Sequence, residues 1–113
     1  MNKKTSEVNY CIGENKYNIF FTNLANPLKV KIILLLRNRE MNVTELTKSL
    51  KVEQSKISHA LKSLRNCKIV ILEQRGKERF YSLNKETILP MLNLIDKHAS
   101  INCKNKCFCE EIK

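Results

Sequence analysis

Apolar residues recur at helical spacing near the start of the chain and predict two helices, over residues 14–24 and 27–39. Asn26 and Pro27 mark the boundary, because asparagine caps a helix N-terminus and proline is favoured at the first helical position. The second helix is expected to be buried. The apolar positions that define the two helices are Tyr17, Phe20, Phe21 and Leu24, then Leu28, Ile32, Leu35 and Leu36.

Two shorter amphipathic segments follow, over residues 43–50 and 54–66. Asn42 is a capping residue for the first of them, and Glu45 stands three positions later, as in a capping box. A tight link joins the segments, so residues 43–66 predict a helix–turn–helix. The inward positions are expected to be Val43, Leu46 and Leu50, then Ile57, Leu61 and Leu64.

The pattern then changes from helical to strand-like. Residues 69–72 are continuous and β-branched, residues 79–83 form a second strand, and Gly76 lies in the loop between them, which predicts a β-hairpin. A last helix is expected from about Leu89, because Pro90 limits how early regular hydrogen bonding can begin. The predicted fold is therefore mainly α with a small β-hairpin, in the order of a winged helix–turn–helix.

Charge adds a prediction about the partner. The 113 residues include 21 Lys or Arg and 11 Asp or Glu, a net charge of +10, and nine basic against three acidic residues lie between Lys48 and Arg79. Such an excess favours nucleic acid over an acidic membrane surface. No apolar run is long enough to span a membrane, no leader is evident, and the odd number of cysteines favours reduced thiols, so a cytoplasmic protein is expected. No paired carboxylates, base–nucleophile pair or phosphate-binding glycine loop indicates an enzyme.

The exposed face of 54–66 and the hairpin carry side chains that reach bases or phosphates in double-stranded DNA. These candidate DNA contacts are Gln54, Ser55, Lys56, Ser58, His59, Lys62 and Arg65 on the helix, and Arg75, Lys77 and Arg79 on the hairpin.

From Leu24 to Leu83 the chain resembles the ArsR/SmtB family of winged-helix repressors. LANPLKVKIILLL is similar to the family's L-A-D-P-x-R-x-x-I-L-x-L-L, QSKISHALKSLRNCKIV to its Q-S-x-V-S-H-H-L-x-x-L-R-x-A-G-L-V, and RGKERFYSL to its G-R-x-x-x-Y-x-L. The resemblance implies a homodimer formed through the first and last helices, which leaves a palindromic operator when an inducer binds. Lys68 departs from the family's usual glycine after the helix.

The family's sensor sites are matched only in part. Its C-V-C thiolates are replaced here by Asn42-Val43-Thr44, so that site is absent. The Asp-x-His of a second family site is present as Asp96-Lys97-His98. Three thiols follow, at Cys103, Cys107 and Cys109, and such a set suits a soft metal or metalloid: zinc, cadmium, lead, copper(I) or arsenite.

Alternatives remain open for these thiols. They could form a redox switch, hold a structural zinc in a winged helix that binds protein or RNA, or lie in a tail without a role. Cys67 stands where the family has alanine and is expected to be a packed core residue. The predicted organisation is an N-terminal arm over 1–13, the winged-helix domain with its dimerisation helices over 14–101, and a cysteine-rich tail over 102–113.

Overall fold

A computed structural model describes residues 14–102, and residues 1–13 and 103–113 lie outside the described part. The described part divides into two compact units, with the boundary between Leu83 and Asn84. The described elements confirm the predicted helices, hairpin and element order. They are α1 (Glu14–Ala25), α2 (Pro27–Asn38), β1 (Met41–Asn42), α3 (Val43–Leu50), α4 (Gln54–Asn66), β2 (Val70–Arg75) and β3 (Glu78–Leu83) in the first unit, and α5 (Ile88–Asn102) in the second.

Side-chain caps place the helix boundaries of the first unit. The Asn26 side chain accepts a hydrogen bond from the Lys29 backbone N at 3.0 Å, and α1 and α2 are bent by 81° at this residue. Asn42 and Glu45 form the predicted capping box: the Asn42 side chain accepts from the Glu45 N at 2.8 Å, and the Asn42 N donates to the Glu45 carboxylate at 3.0 Å. Each cap satisfies amide groups that the helix itself leaves unpaired.

Within residues 14–102, no single helix is long and apolar enough to cross a membrane. The bent pair of α1 and α2 meets the length and composition requirement only when the two helices are taken together.

The core of the first unit lies between α2, α3, α4 and the sheet. Ile33 and Met41 belong to it although neither was among the predicted inward positions, whereas Leu28 and Leu35 are only half-buried. Its buried apolar residues are Ile32, Ile33, Leu36, Met41, Leu46, Ile57, Ala60, Leu61, Leu64, Ile69, Val70, Tyr81 and Leu83.

The sheet has three antiparallel strands in the order β1-β3-β2. Strand β1, which pairs Met41 with Tyr81, was not predicted, because two residues are too few to show an alternating pattern. The hairpin turn is shorter than expected: Arg75 pairs with Glu78, leaving Gly76 and Lys77 as a two-residue loop. Gly76 has a φ of +62°, a left-handed conformation that glycine adopts without steric cost.

The second unit is described over one helix. Helix α5 begins at Ile88, one residue before the predicted start, and the Ile88 N donates to the Asn84 carbonyl at 2.9 Å. Pro90 lies in the first turn, where a backbone N–H has no partner within the helix, so it does not interrupt the hydrogen bonding. Leu92 and Ala99 of this helix are half-buried, whereas Ile95 is exposed.

Candidate nucleic-acid interface

Helix α4 separates apolar and polar side chains onto opposite faces. Ile57, Leu61 and Leu64 are buried, together with Ala60. All seven polar side chains that the sequence predicted as DNA contacts are exposed: Gln54, Ser55, Lys56, Ser58, His59, Lys62 and Arg65. The apolar stripe therefore anchors the helix in the core and leaves a basic, hydrogen-bonding face free.

The link before α4 is held by a backbone cap. Lys51 has a φ of 55° and its N–H donates to the Thr47 carbonyl at 2.8 Å, which ends α3 in the left-handed capping geometry. Two residues later, the Glu53 carbonyl accepts hydrogen bonds from the backbone N atoms of Lys56 and Ile57, at 3.1 and 3.2 Å, and begins α4. These short-range contacts fix the direction in which the exposed face of α4 points.

A cavity of about 420 Å³ lies beside the N-terminal half of this exposed face. It opens between the beginning of α2 and the polar face of α4. Among the described residues, two amines and an imidazole line it, and no acidic side chain does. The lining residues are Asn26, Leu28, Lys29, Ser55, Lys56, His59, Ala60 and Ser63.

The hairpin, called the wing below (residues 70–83), exposes Lys77 and Arg79 as expected. Arg75 is also exposed, but its guanidinium is already engaged by carboxylates. It contacts both carboxylate oxygens of Glu40 at 2.6 and 2.8 Å and Glu73 at 2.9 Å, and it lies 4.7 Å from the centre of the Phe80 ring. The hydrogen bonds with Glu40 and then Glu73 raise the pKa of Arg75, so it is charged at any physiological pH.

The sequence analysis missed a polar network that connects α1, α2 and α4. Asn23 is 3% exposed, and its Oδ1 accepts from the Lys29 ammonium and from the Ser63 hydroxyl, both at 2.8 Å. The Lys29 ammonium also donates to the Ser63 Oγ at 3.0 Å, and the Asn23 amide donates to the Cys67 Sγ at 3.4 Å. Cys67 is thus a half-buried hydrogen-bond acceptor in a polar network rather than a packed core residue.

The candidate metal ligands are only partly within the described residues. Asp96 and His98 are exposed on α5, and the His98 Nδ1 lies 3.3 Å from the Asn102 side-chain amide. Cys103, Cys107 and Cys109 lie outside residues 14–102. Within that range no three His, Cys, Asp or Glu side chains come together as a metal site.

Comparison with known proteins agrees with this architecture. Residues 26–71 match the family described as "Bacterial regulatory protein, arsR family". The arsenical resistance operon repressor of Bacillus subtilis is 33% identical over 79 residues, which cover 69% of this chain and 75% of that protein. The chain belongs to the ArsR family.

Two further comparisons extend this similarity. The transcriptional regulator NmtR of Mycobacterium tuberculosis is 36% identical over 76 residues, which cover 67% of this chain and 63% of NmtR, so the chain spans less than two thirds of that relative. The crystal structure of M. tuberculosis Rv0081 superposes with a TM-score of 0.69 at 29% identity and covers 78% of this chain and 92% of that one. The winged helix–turn–helix fold is therefore confirmed. The B. subtilis repressor and NmtR are both named as regulators of transcription.

Proposed function

We propose that this ArsR-family chain is a cytoplasmic transcriptional repressor that binds double-stranded operator DNA as a homodimer. The observation that carries the proposal is the exposed face of α4, where seven polar or basic side chains stand opposite a buried apolar stripe. A helix of this kind enters the major groove, and the wing meets the neighbouring backbone. A two-fold dimer presents two such helices to half-sites about one helical turn apart.

The exposed residues of α4 are expected to make two kinds of contact with DNA, to base edges and to phosphates. Gln54, Ser58 and His59 have hydrogen-bonding groups suited to base edges, whereas Lys62 and Arg65 near the other end of the helix supply charge for phosphates. On the wing, Lys77 and Arg79 are the proposed phosphate contacts, because Arg75 is engaged by Glu40 and Glu73.

Duplex binding at several salt concentrations tests this proposal. Duplexes selected from a random pool are expected to bind with a salt slope of several units. Gln54→Ala is expected to reduce the preference for the selected sequence without changing the slope, and Lys62→Gln to reduce the slope by about one for each bound copy. Absent or salt-insensitive duplex binding would contradict the proposal and favour a protein- or RNA-binding winged helix.

We propose further that a soft metal or metalloid ion releases the DNA by binding the thiolates of Cys103, Cys107 and Cys109, with Asp96 or His98 as additional ligands. Three thiols are the donor type that soft ions prefer, and one relative is named as an arsenical resistance repressor. A hundredfold loss of DNA affinity requires only about 2.7 kcal/mol of differential binding.

Titration of the reduced protein with zinc, cadmium, lead, copper(I) and arsenite tests the sensor. Thiolate-to-metal absorbance and duplex binding are followed together, and simultaneous replacement of the three cysteines by serine is expected to abolish both responses. A DNA response that needs an oxidant and no metal would instead support the redox alternative. An unchanged metal response in the triple variant would exclude these thiols as the sensor.

A further inference from the structure

Within the described part of the chain, the ammonium group of Lys29 is held by two neutral side chains and by no carboxylate. It donates to the Asn23 Oδ1 at 2.8 Å and to the Ser63 Oγ at 3.0 Å, and both acceptors are neutral. The ion pairs of Arg39 with Glu45 and of Arg75 with Glu40 and Glu73 do not involve Lys29. An ammonium has three donors, so one remains for another acceptor, and the charge is not neutralised by its partners.

The Lys29 side chain, with its charge held in place, lines the 420 Å³ cavity beside α4 together with Lys56 and His59. The Ser55 and Ser63 hydroxyls add two further hydrogen-bonding groups, and none of the lining residues within the described range 14–102 is acidic. An anion with several oxygen acceptors is the ligand that such a set of donors suits. The half-buried position of Lys29 means that its charge is screened less by solvent than that of a lysine on the open surface.

We propose that this cavity binds one phosphate of the DNA backbone, and that Lys29, which lies outside α4 and the wing, is its principal ligand. This inference rests on the proposed function, because the cavity borders the same face of α4 that is proposed to enter the major groove. Lys56 and His59 lie both on that face and on the cavity wall. A phosphate held there fixes the depth and register of α4 in the groove, which is the role of backbone contacts in protein–DNA complexes.

Lysine substitutions on α2 test the charge directly. Lys29→Met is expected to weaken binding about tenfold for selected and random duplexes alike, since a charge-assisted bond is lost, and to reduce the salt slope by about one for each bound copy. Lys29→Arg keeps the charge and is expected to restore the slope. Lys31→Gln is the matched control, because Lys31 lies two residues away on the same helix, is exposed and does not line the cavity.

A scan of the duplex with neutral methylphosphonate linkages makes the test independent of the variant's stability. With the wild-type protein, neutralising any contacted phosphate is expected to weaken binding. At one position in each half-site this loss is expected to disappear in Lys29→Met, whereas the positions contacted by α4 and the wing keep it. Loss of affinity in Lys29→Met without a change of slope, or without a phosphate coupled to it, would show that Lys29 only positions α4 and would overturn the inference. If the wild-type protein binds no duplex, the proposed function itself fails.

Inorganic phosphate distinguishes a backbone contact from a site for a small anion. At constant ionic strength, millimolar phosphate is expected to leave the thermal stability of wild type and Lys29→Met equally unchanged relative to chloride. Stabilisation of the wild type alone at submillimolar phosphate would identify a small-anion site and overturn the assignment to DNA.

Discussion

Lys51 has a backbone conformation that residues with a side chain rarely adopt. Its φ of 55° lies in the left-handed region, where the β-carbon approaches the following carbonyl oxygen, and Lys68 after α4 has a similar φ of 59°. The ArsR/SmtB family usually has glycine at the position of Lys68, and glycine adopts this left-handed conformation without steric cost. The link before α4 and the link after it therefore each carry a local energetic cost.

Replacing Lys51 with glycine is expected to stabilise the protein by about 1 kcal/mol, because the left-handed conformation then costs little. Lys51→Ala removes the same side chain but keeps a β-carbon, so its free energy of unfolding should stay within about 0.5 kcal/mol of wild type. Urea denaturation of the three proteins measures the difference. Equal stability of the two variants would show that Lys51 is not strained.

At the scale of elements, two polar contacts decide how neighbouring segments meet. The Asn23–Lys29–Ser63 bonds connect α1 and α2 to the last turn of α4, and the Arg75–Glu40 bridge connects β2 to the segment between α2 and β1. The first is partly buried and the second is exposed. Because water and salt screen an exposed pair, we expect the buried network to matter for stability and the bridge to matter for the position of the wing.

Asn23→Ala is expected to destabilise the protein by about 2 kcal/mol, since it removes acceptors from the Lys29 ammonium and the Ser63 hydroxyl. Ser63→Ala should cost about 1 kcal/mol, and the double variant less than the sum of the two, because they share a bond. Ser58→Ala on the exposed face of α4 controls for helix propensity and should not be destabilising. Additive effects in urea denaturation would contradict a connected network.

Glu40→Gln removes the charged partner that contacts Arg75 through two oxygens and leaves only Glu73, so Arg75 is expected to become more available to DNA. Duplex affinity should rise and the salt slope should become steeper by up to about one for each bound copy, with little change in the stability of unbound protein because the pair is exposed. Glu78→Gln is the matched control: it removes one negative charge from the wing without releasing Arg75 from Glu40. An equal gain in both variants would attribute the effect to net charge alone.

At the scale of the whole molecule, several large apolar side chains remain exposed on the two helices that are proposed to form the dimer. Tyr17 and Phe21 of α1 are 56% and 58% exposed, and Leu94, Ile95 and Ile101 of α5 are 64%, 48% and 55% exposed. The residue of α1 that is buried is the polar Asn23. This distribution is the one expected when the apolar sides of α1 and α5 are covered by a second copy.

Phe21→Asp and Ile95→Asp are each expected to shift the protein from dimer to monomer in sedimentation velocity and to weaken duplex binding, because a charge would be buried in the interface. Leu34→Asp, at an exposed apolar position of α2, should leave the dimer unchanged. Dimers that persist in both interface variants would place the interface elsewhere.

Helical periodicity, the Asn26 and Asn42 caps and the turn at Gly76 determined the five helices found within residues 14–102, their order and the wing, because these signals act between residues close in sequence. The same periodicity identified the exposed face of α4, since burial of the apolar stripe leaves the polar residues on the opposite side of the helix exposed. The two-residue strand β1, the Arg75–Glu40 bridge and the Asn23 network were decided by tertiary structure. Their partners lie 35 to 44 residues apart for Arg75–Glu40, Asn23–Ser63 and Asn23–Cys67, and no local pattern encodes which distant polar groups will meet when the apolar stripes pack.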